Sequence, residues 1–343
     1  MMCGGLDARA RWRRLMRVLV AALAVSALLA VAACGDDDDA GSSGGGSAAG
    51  EVTKVKVGVL PISNVAPLYV GMKKGFFKEE GLEIEAVPAQ SGNELVTAMV
   101  SGDLQFAFLG FVPMMAAVSK GLPLKVIASS DTGAEKAEDE WTVIIVGKDS
   151  PIRDVKDLAG KTIAVNALKG VGEVAIKAAL EKRGVDPNSI KLLEVPFPEM
   201  PAALQKKRVD AIWAPEPFLT SVLGEGGREI EAPLTTLGPR YPNGTYSTTE
   251  KQLASDEESV AGFTRAINKS MEYASEHPKE ARATIPTFSK IPQEVADKIR
   301  LPLWPVPIDT AKVQELGNYA VKYKVIEKAP AMEDLIWEGA TKN

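Results

Sequence analysis

An alternation of strand and helix patterns, which starts at Lys54 and starts again at Thr142, constrains this fold more than any other feature. Lys54 to Leu60 alternates apolar and polar side chains and predicts a strand. Ala66 to Lys78 carries a stripe of apolar residues at helical spacing and predicts a helix that Gly81 ends. Because further strands follow at spacings that a short helix fills, we expect βαβ crossovers, and hence parallel sheets with helices on both faces.

The composition excludes most enzyme classes. The chain has 343 residues, a formal net charge of -5, one histidine and two cysteines. The lack of a basic surplus argues against a nucleic-acid partner held through its phosphates. A single histidine and two cysteines leave almost nothing for a His/Cys metal site, a histidine-dependent catalytic triad or a disulfide scaffold. We therefore expect a protein that is not an enzyme, with no catalytic residue, metal or cofactor.

The N-terminal residues have the pattern of an export signal. Five arginines precede Val18 to Ala33, which are 16 residues without a charge. This run is shorter than the ~20 residues of a membrane-spanning helix. It ends in Val31-Ala32-Ala33-Cys34, which resembles the bacterial lipobox, whose cysteine is diacylated and becomes the first residue of the mature protein. We expect a lipoprotein signal peptide over residues 1–33 and lipidation of Cys34. Ordinary signal-peptidase cleavage and an uncleaved anchor are the alternatives.

Residues 34–52 are predicted to form an acidic and Gly/Ser-rich tether. Asp36 to Asp39 form a run of four carboxylates, and Gly41 to Gly50 contain only Gly, Ser and Ala. The run lacks the spaced ligands and the closing glutamate of a calcium-binding loop. A flexible, self-repelling segment would instead hold a folded body away from a lipid surface. We therefore expect an exported protein, lipid-anchored to the outer face of the cytoplasmic membrane.

Two α/β lobes in an exported, tethered chain suggest a two-lobed solute receptor, with its ligand in the crevice at the carboxyl ends of the strands. The order and spacing of four segments resemble the solute-binding proteins of ABC importers for nitrate, sulfonates, taurine and pyrimidine precursors. These segments are Val65–Leu82, Ala98–Asp103, Val209–Ala211 and Pro215–Phe218. The resemblance implies an α/β, type II periplasmic-binding-protein fold, in which two Rossmann-like lobes are joined by a two-strand hinge.

The resemblance also implies a division of the chain and a function. Lobe one would comprise residues 53–141 and 246–343, and lobe two residues 142–245. The protein would be a monomeric, lipid-anchored receptor that captures a small organic solute, such as a sulfonate or taurine, and delivers it to an ABC permease in the cytoplasmic membrane. The alternatives are a receptor for a pyrimidine, thiamine or flavin precursor, a sensor lipoprotein, and a pyrimidine-synthesising enzyme of related fold that uses pyridoxal.

Small polar residues at the predicted strand ends of lobe one are candidate ligand contacts. Such loops leave backbone N–H groups free at helix starts, which suits an anionic or strongly polar solute. Helix capping is the competing interpretation, because Ser and Asn are usual cap residues. The candidates are Ser63, Asn64, Ser91, Gly92, Asn93, Gly110, Phe111 and Ser129.

Candidates in lobe two, and at its return to lobe one, follow the same logic. Residues 170–175 match G-x-G-x-x-A, but the first glycine stands beyond the tight turn of a dinucleotide-binding fingerprint, so we expect a close approach to a small ligand instead. An indole at a strand's carboxyl end can stack on a flat ligand, and a carboxylate can accept from an ammonium or a ring N–H. The competing interpretations are a solvated lysine, a core aromatic residue and a carboxylate that pairs with a helix dipole. The candidates are Asn166, Lys169, Gly170, Trp213, Glu216 and Tyr246.

Arginine is absent from the strand-end loops that carry these candidates. A forked guanidinium is well suited to hold a sulfonate or a nitrate. Its absence departs from what an anion receptor favours, and it raises the expectation of an uncharged or zwitterionic solute.

Overall fold

The computed structural model describes residues 52–341, so the predicted signal peptide, Cys34 and all but the last residue of the tether lie outside the described residues. The described strands form two five-stranded sheets. Their bounds are β1 (Thr53–Val59), β2 (Leu82–Pro88), β3 (Phe106–Gly110), β4 (Leu124–Thr132), β5 (Thr142–Val146), β6 (Thr162–Val165), β7 (Lys191–Glu194), β8 (Ala211–Pro215), β9 (Arg228–Glu231) and β10 (Pro242–Thr249).

Helices follow most of these strands and dominate the chain after β10. Within residues 52–341 no helix combines the length with the apolar character that crossing a membrane demands. The helix bounds are α1 (Ala66–Lys74), α2 (Phe76–Glu79), α3 (Gly92–Ser101), α4 (Phe111–Ser119), α5 (Val171–Lys182), α6 (Met200–Gln205), α7 (Phe218–Gly224), α8 (Pro233–Leu237), α9 (Glu250–Ser255), α10 (Glu257–Glu276), α11 (Pro278–Ser289), α12 (Gln293–Ala296), α13 (Thr310–Lys322) and α14 (Met332–Leu335).

Both sheets are mixed, so the prediction of purely parallel sheets is wrong. The first sheet has the order β2-β1-β3-β10-β4, in which β1 runs parallel to β2 and β3 while β10 runs antiparallel to β3 and β4. The second sheet has the order β7-β6-β8-β5-β9, in which β6 runs parallel to β7 and β8 while β5 runs antiparallel to β8 and β9. One strand in each sheet, β10 or β5, therefore opposes the other four.

The reversed strands are the ones that enter a sheet from the other sheet. β4 ends at the carboxyl edge of the first sheet, and the chain then crosses to begin β5 at the carboxyl edge of the second. β9 leaves the second sheet at the same edge, and β10 enters the first there. A strand that starts where its neighbours end must run opposite to them, and local sequence pattern carries no signal for that direction.

The two crossing segments, residues 133–141 and 232–241, pair with each other. The Gly133 N–H donates to the Tyr241 carbonyl at 2.8 Å, and the Arg240 N–H donates to the Ala134 carbonyl at 3.1 Å. An ion pair between Arg240 and Glu135 at 3.2 Å adds to this connection. The return to the first sheet begins at Pro242, four residues before the predicted return at 246, and Gly244 already pairs with Gly110 of β3.

Helix α10 fixes the first sheet from one face. Its Phe263 is fully buried and stacks on Phe106 of β3, with ring centroids 4.2 Å apart. The same ring contacts Phe77 of α2 at 5.5 Å and Tyr246 of β10 at 5.8 Å. Because Tyr246 lies on the returning strand, this aromatic cluster joins the N-terminal strands to the part of the chain that comes back from the second sheet.

We expect Phe263→Ala to lower the free energy of unfolding by about 3–5 kcal/mol, because it removes a buried aromatic ring from a close-packed cluster. Urea unfolding followed by far-UV circular dichroism measures this loss. Glu272→Ala, an exposed change on the same helix, should stay within about 0.5 kcal/mol of the unchanged chain. A loss below about 1 kcal/mol for Phe263→Ala would contradict the packing described for α10.

Candidate functional site

A cavity of about 50 Å³ lies where the carboxyl ends of the two sheets meet. Residues of both sheets line it, together with one residue of the first crossing segment. The first sheet and its loops contribute Leu60, Ile62, Gly92, Phe108, Gly110, Pro113 and Asn243, the crossing segment contributes Trp141, and the second sheet and its loops contribute Asn166, Ala167, Gly170, Val171, Phe197, Trp213 and Pro215.

The two sides of the cavity touch each other in this structure. A methyl group added to Gly110 would lie 2.8 Å from Cγ2 of Val171, so the backbone of β3 meets the start of α5 at van der Waals distance. The Ser63 N–H donates to the Glu216 carbonyl at 3.0 Å across the same divide. Since ligand pockets usually have volumes of roughly 300–1,000 Å³, a solute of ordinary size requires the two sides to separate.

Trp213 belongs to the cavity wall on the side of the second sheet. Its indole packs on Gly172, where an added methyl group would lie 2.4 Å from the ring carbon Cε3. The second glycine of the G-x-G-x-x-A segment is therefore needed for an indole to pass over the start of α5. The indole is 4% exposed, and its Nε1 makes no hydrogen bond to the rest of the described chain. Phe197 lies beside it, with ring centroids 6.3 Å apart.

A group of buried polar side chains lies behind the opposite wall of the cavity. Asn64, Ser130, Asp131 and Tyr246 are each at most 1% exposed, and each has a side-chain polar atom without a hydrogen-bond partner among residues 52–341. Asn243, which lines the cavity, donates from Nδ2 to Oδ2 of Asp131 at 2.8 Å. We call these five residues the polar cluster.

Burial raises the pKa of Asp131 to about 7. Three neighbouring polar side chains favour the ionised carboxylate and so lower its pKa: Asn243, Asn64 and Ser130. The negative charge of Glu140 raises this pKa further. Glu140 is itself buried, which raises its own pKa, and it accepts from the backbone N–H groups of Ala134 and Trp141. A carboxyl group at the end of β4 is therefore held near the point of half-ionisation at neutral pH.

Glu216 is buried, and its carboxylate accepts hydrogen bonds from other parts of the chain. It accepts from Thr220 through the backbone N–H at 3.0 Å and the hydroxyl at 2.7 Å, and from the Arg300 N–H at 3.0 Å. Burial raises the pKa of Glu216 to about 7, although these hydrogen bonds act to lower it. Arg300 also pairs with Glu229 of β9 at 2.7 Å. These contacts tie the chain after α12 to the second sheet, and Glu216 is not among the cavity residues.

The structure brings five of the predicted contacts to the cavity, places others behind its wall and separates the rest. Gly92, Gly110, Asn166, Gly170 and Trp213 line the cavity. Ser63, Asn64 and Tyr246 are fully buried on the side of the first sheet, and Ser129 is buried within β4. The remaining candidates have other roles or positions: Ser91 caps α3 by accepting from Glu94, Phe111 belongs to the apolar core, and Asn93 and Lys169 are exposed.

Several residues of this region were not among the predicted contacts, and they include Phe108, Asp131, Trp141, Phe197 and Asn243. Asp131 directly follows Ser129 and Ser130 near the end of β4, and Ser129 was a predicted contact, so the sequence pointed to this part of the strand. Trp141 and Asn243 border the crossing segments, which carry no periodic pattern. No arginine or lysine is found among the described residues that line the cavity, so the predicted contact Lys169 is not part of this lining.

Comparisons with known proteins agree with this architecture. The model of the NMT1/THI5-like family matches residues 62–281. The formylaminopyrimidine-binding protein of Halalkalibacterium halodurans is 26% identical over 238 residues, which cover 67% of this chain and 68% of that protein. The taurine-binding periplasmic protein of Escherichia coli (strain K12) is 32% identical over 171 residues, which cover 49% and 51%.

A solved structure carries the same fold. The ligand-binding component of an ABC-type import system from Staphylococcus aureus superposes with a TM-score of 0.73 at 18% identity, covering 84% of this chain and 98% of that one. Together with the two sheets and the paired crossing segments, this similarity confirms the predicted α/β, type II periplasmic-binding-protein fold with two lobes and a two-strand hinge.

We expect the folded chain to lose stability as pH rises from about 4 to above 7. Asp131 and Glu216 have pKa values of about 7 when folded, against ordinary values of 3.8 and 4.5, so the folded state binds more protons across that interval. Melting temperatures measured at about pH 5, 6, 7 and 8 should fall in that order. Glu216→Gln should flatten the dependence, and the exposed change Glu199→Gln should not. A melting temperature that rises from pH 5 to 8 would refute these assignments.

Proposed function

Because the chain belongs to the NMT1/THI5-like family, we propose that it is an extracytoplasmic solute-binding protein of an ABC importer. The two lobes would close on a small organic solute and present it to a permease in the cytoplasmic membrane. The observation that carries the proposal is the cavity itself, which is walled by both sheets and lies at the two chain crossings. Separation of the lobes about the paired crossing segments would open it, and a solute bound by both walls would favour closure.

We take lobe one to hold the first sheet and the helices after β10, and lobe two to hold residues 142–231, with the return to lobe one at Pro242. The solutes to test first are sulfonates, taurine and pyrimidine precursors, since relatives of this chain are named for binding taurine and formylaminopyrimidine. The aromatic and aliphatic side chains of the cavity favour a solute with an apolar or flat part.

The described residues favour binding over catalysis. His277, the only histidine of the chain, stacks on Tyr273 with ring centroids 3.9 Å apart and lies at the junction of α10 and α11. It is not a cavity residue, and no lysine lines the part of the cavity that the structure describes. A pyridoxal-dependent synthesis in this cavity would need both residue types close to the ring of the cofactor.

A solute that binds the folded chain raises its melting temperature, so a thermal-shift screen of sulfonates, taurine and pyrimidine precursors tests the proposal. At about 100 times its dissociation constant, a ligand adds about 2.7 kcal/mol to the free energy of unfolding. We expect Trp213→Ala to weaken binding by at least about tenfold, because it removes a wall of the cavity. Trp337→Ala, which truncates a half-buried indole outside the cavity, should lower the melting temperature yet leave the solute-induced shift intact. A solute shift that survives Trp213→Ala unchanged would place the site elsewhere.

We further propose that Cys34 carries the lipid anchor, on the basis of the lipobox-like sequence that precedes it. Expressed in a bacterial host, the unchanged chain should sediment with membranes and incorporate a labelled fatty acid. Cys34→Ser should abolish incorporation and release the protein or leave an unprocessed precursor, whereas Cys3→Ser should change neither property. Fatty-acid labelling that persists in Cys34→Ser would contradict this proposal.

A further inference from the structure

Arg300 connects the two lobes in addition to the crossing segments. The chain around Arg300 is tied to the first sheet, because the Thr132 N–H at the end of β4 donates to the Leu303 carbonyl at 3.0 Å. The Arg300 guanidinium instead contacts β9 of the second sheet, where Nη2 and Nη1 donate to the two carboxylate oxygens of Glu229 at 2.7 and 3.1 Å. One side chain that is anchored in lobe one therefore holds a strand of lobe two.

Two further hydrogen bonds fix Arg300 between the lobes. Its backbone N–H donates to Oε1 of Glu216 at 3.0 Å, and its Nη1 also donates to the Glu140 carbonyl of the first crossing segment at 3.1 Å. Glu216 is fully buried, and the side chains of Arg300 and Glu229 are only 29% and 30% exposed. A forked ion pair that is partly shielded from water is stronger than an exposed one. We call the hydrogen bonds of Arg300 to Glu216 and Glu229 the Arg300 bridge.

Rotation of the lobes about the crossing segments would break the Arg300 bridge. Glu229 lies three residues before Ala232, where the second crossing segment begins, and this separation is about 10 Å along an extended strand. A rotation of about 10° moves a group at that distance by about 2 Å, which carries a donor and an acceptor beyond the ~3.2 Å limit of an ordinary N–H···O hydrogen bond. The Arg300 bridge is therefore specific to the arrangement in which the two sides of the cavity touch.

A second ion pair between the lobes is more exposed. Nζ of Lys322, at the end of α13, lies 2.8 Å from a carboxylate oxygen of Glu181 on α5. Helix α13 packs on α4 of lobe one, since a methyl group added to Gly317 would lie 3.2 Å from Sδ of Met115. The side chains of Lys322 and Glu181 are 53% and 41% exposed, and ion pairs of this kind contribute little to stability. The Arg300 bridge is therefore the stronger of these two connections.

We infer that Arg300 is a positioning residue for solute binding, which holds the two lobes together through Glu229 and Glu216 and so limits the rate at which a solute leaves the cavity. In this role, which rests on the proposed solute-binding function, Arg300 does not touch the solute, because it lies outside the cavity lining. A solute enclosed by both walls leaves only after the lobes separate, so each opening has to break the Arg300 bridge. A weaker bridge therefore raises the dissociation rate of every solute by the same factor.

The amide of Ser63 reports whether the lobes are closed. Its N–H donates to the Glu216 carbonyl at 3.0 Å, from the loop after β1 to the second sheet, and Ser63 is fully buried. Separation of the lobes breaks this hydrogen bond, so the exchange of this amide with deuterated solvent follows the opening of the cavity. Nuclear magnetic resonance of the protein without any added solute measures the exchange rate.

We expect Arg300→Met to accelerate exchange at Ser63 by about fivefold, because it removes the guanidinium and keeps the backbone N–H that donates to Glu216. Glu229→Gln should have a similar effect, because it removes the charge of the partner. The variant that carries both changes should exchange no faster than the faster of the two single variants, since both changes remove the same interaction.

Arg265→Met is the matched control, because Arg265 of α10 pairs with Glu80 at 2.6 Å within lobe one. It should leave exchange at Ser63 within about twofold of the unchanged protein, since removal of an exposed ion pair inside one lobe does not favour opening. Arg300→Lys keeps the charge but loses the fork, so its exchange rate should lie between those of Arg300→Met and the unchanged protein. Raising the NaCl concentration from about 0.05 M to about 0.5 M should accelerate exchange in the unchanged protein and have little effect in Arg300→Met, because salt screens the ion pair.

Stopped-flow tryptophan fluorescence measures the dissociation rate of taurine, or of another solute that the thermal-shift screen identifies. Arg300→Met should raise this rate by about the factor by which it accelerates exchange at Ser63, because both processes require the lobes to separate. Arg265→Met should leave the dissociation rate unchanged.

Exchange at Ser63 that stays the same in both Arg300→Met and Glu229→Gln would overturn the inference, and so would equal acceleration by Arg265→Met. If Arg300→Met does not fold, Glu229→Gln decides, because it keeps the size and shape of the side chain. An unchanged dissociation rate in Arg300→Met would contradict the role of Arg300 and leave the proposed function intact. If no solute of the screen binds, the proposed function falls, while faster exchange at Ser63 still supports the Arg300 bridge as the contact that holds the lobes together.

Discussion

The double crossing of the chain between two sheets, always at their carboxyl edges, is the constraint on which the rest of this structure depends. It reverses β5 and β10 relative to their neighbours, and it brings strand ends and helix starts from both sheets to one place. The two crossing segments are joined to each other through the backbones of residues 133–134 and 240–241. A paired, two-strand connection of this kind allows a hinge motion while it holds the two lobes in register.

Buried acidic groups concentrate close to these crossings. Asp131 is the penultimate residue of β4, Glu140 precedes β5 and Glu216 follows β8, and burial raises the pKa of each. Isolated buried charges are unfavourable, and a chain selected for stability alone would place apolar residues there. Glu216 and Glu140 accept hydrogen bonds from backbone or hydroxyl groups, which offsets part of that cost. Asp131 accepts from Asn243 at 2.8 Å, and the neighbouring polar side chains of Asn64 and Ser130 also favour its ionised form.

The sequence pattern indicated two series of alternating strands and helices but missed β9 and the short helix α8 that follows it. The resemblance of four segments to a known family was sufficient for the fold. The sequence pattern did not predict strand direction, because β10 and β5 have the same local pattern as the other strands and are reversed only by the crossing of the chain. Trp213 could be placed at a strand's carboxyl end, where the cavity is. Asn243 could not, because it lies in a returning segment whose starting point depends on long-range pairing with β3. Glu216 and Lys169 are of residue types that suit ligand contacts, but neither lines the cavity. The Glu216 carboxylate accepts from the Arg300 N–H, and Lys169 is exposed.

We propose that the two lobes open and close about the paired crossings when a solute binds. The most direct measurement is the distance between spin labels at Asn93→Cys and Leu168→Cys, two exposed positions that neighbour the cavity residues Gly92 and Ala167 of opposite lobes. Cys3 and Cys34, the only native cysteines, are replaced by serine for labelling. We expect a broad or long distance without solute and a single shorter distance with it, while the distance between labels at Asn93 and Val100, both on α3, stays constant. One unchanging distance between the lobes, with a solute bound, would contradict it.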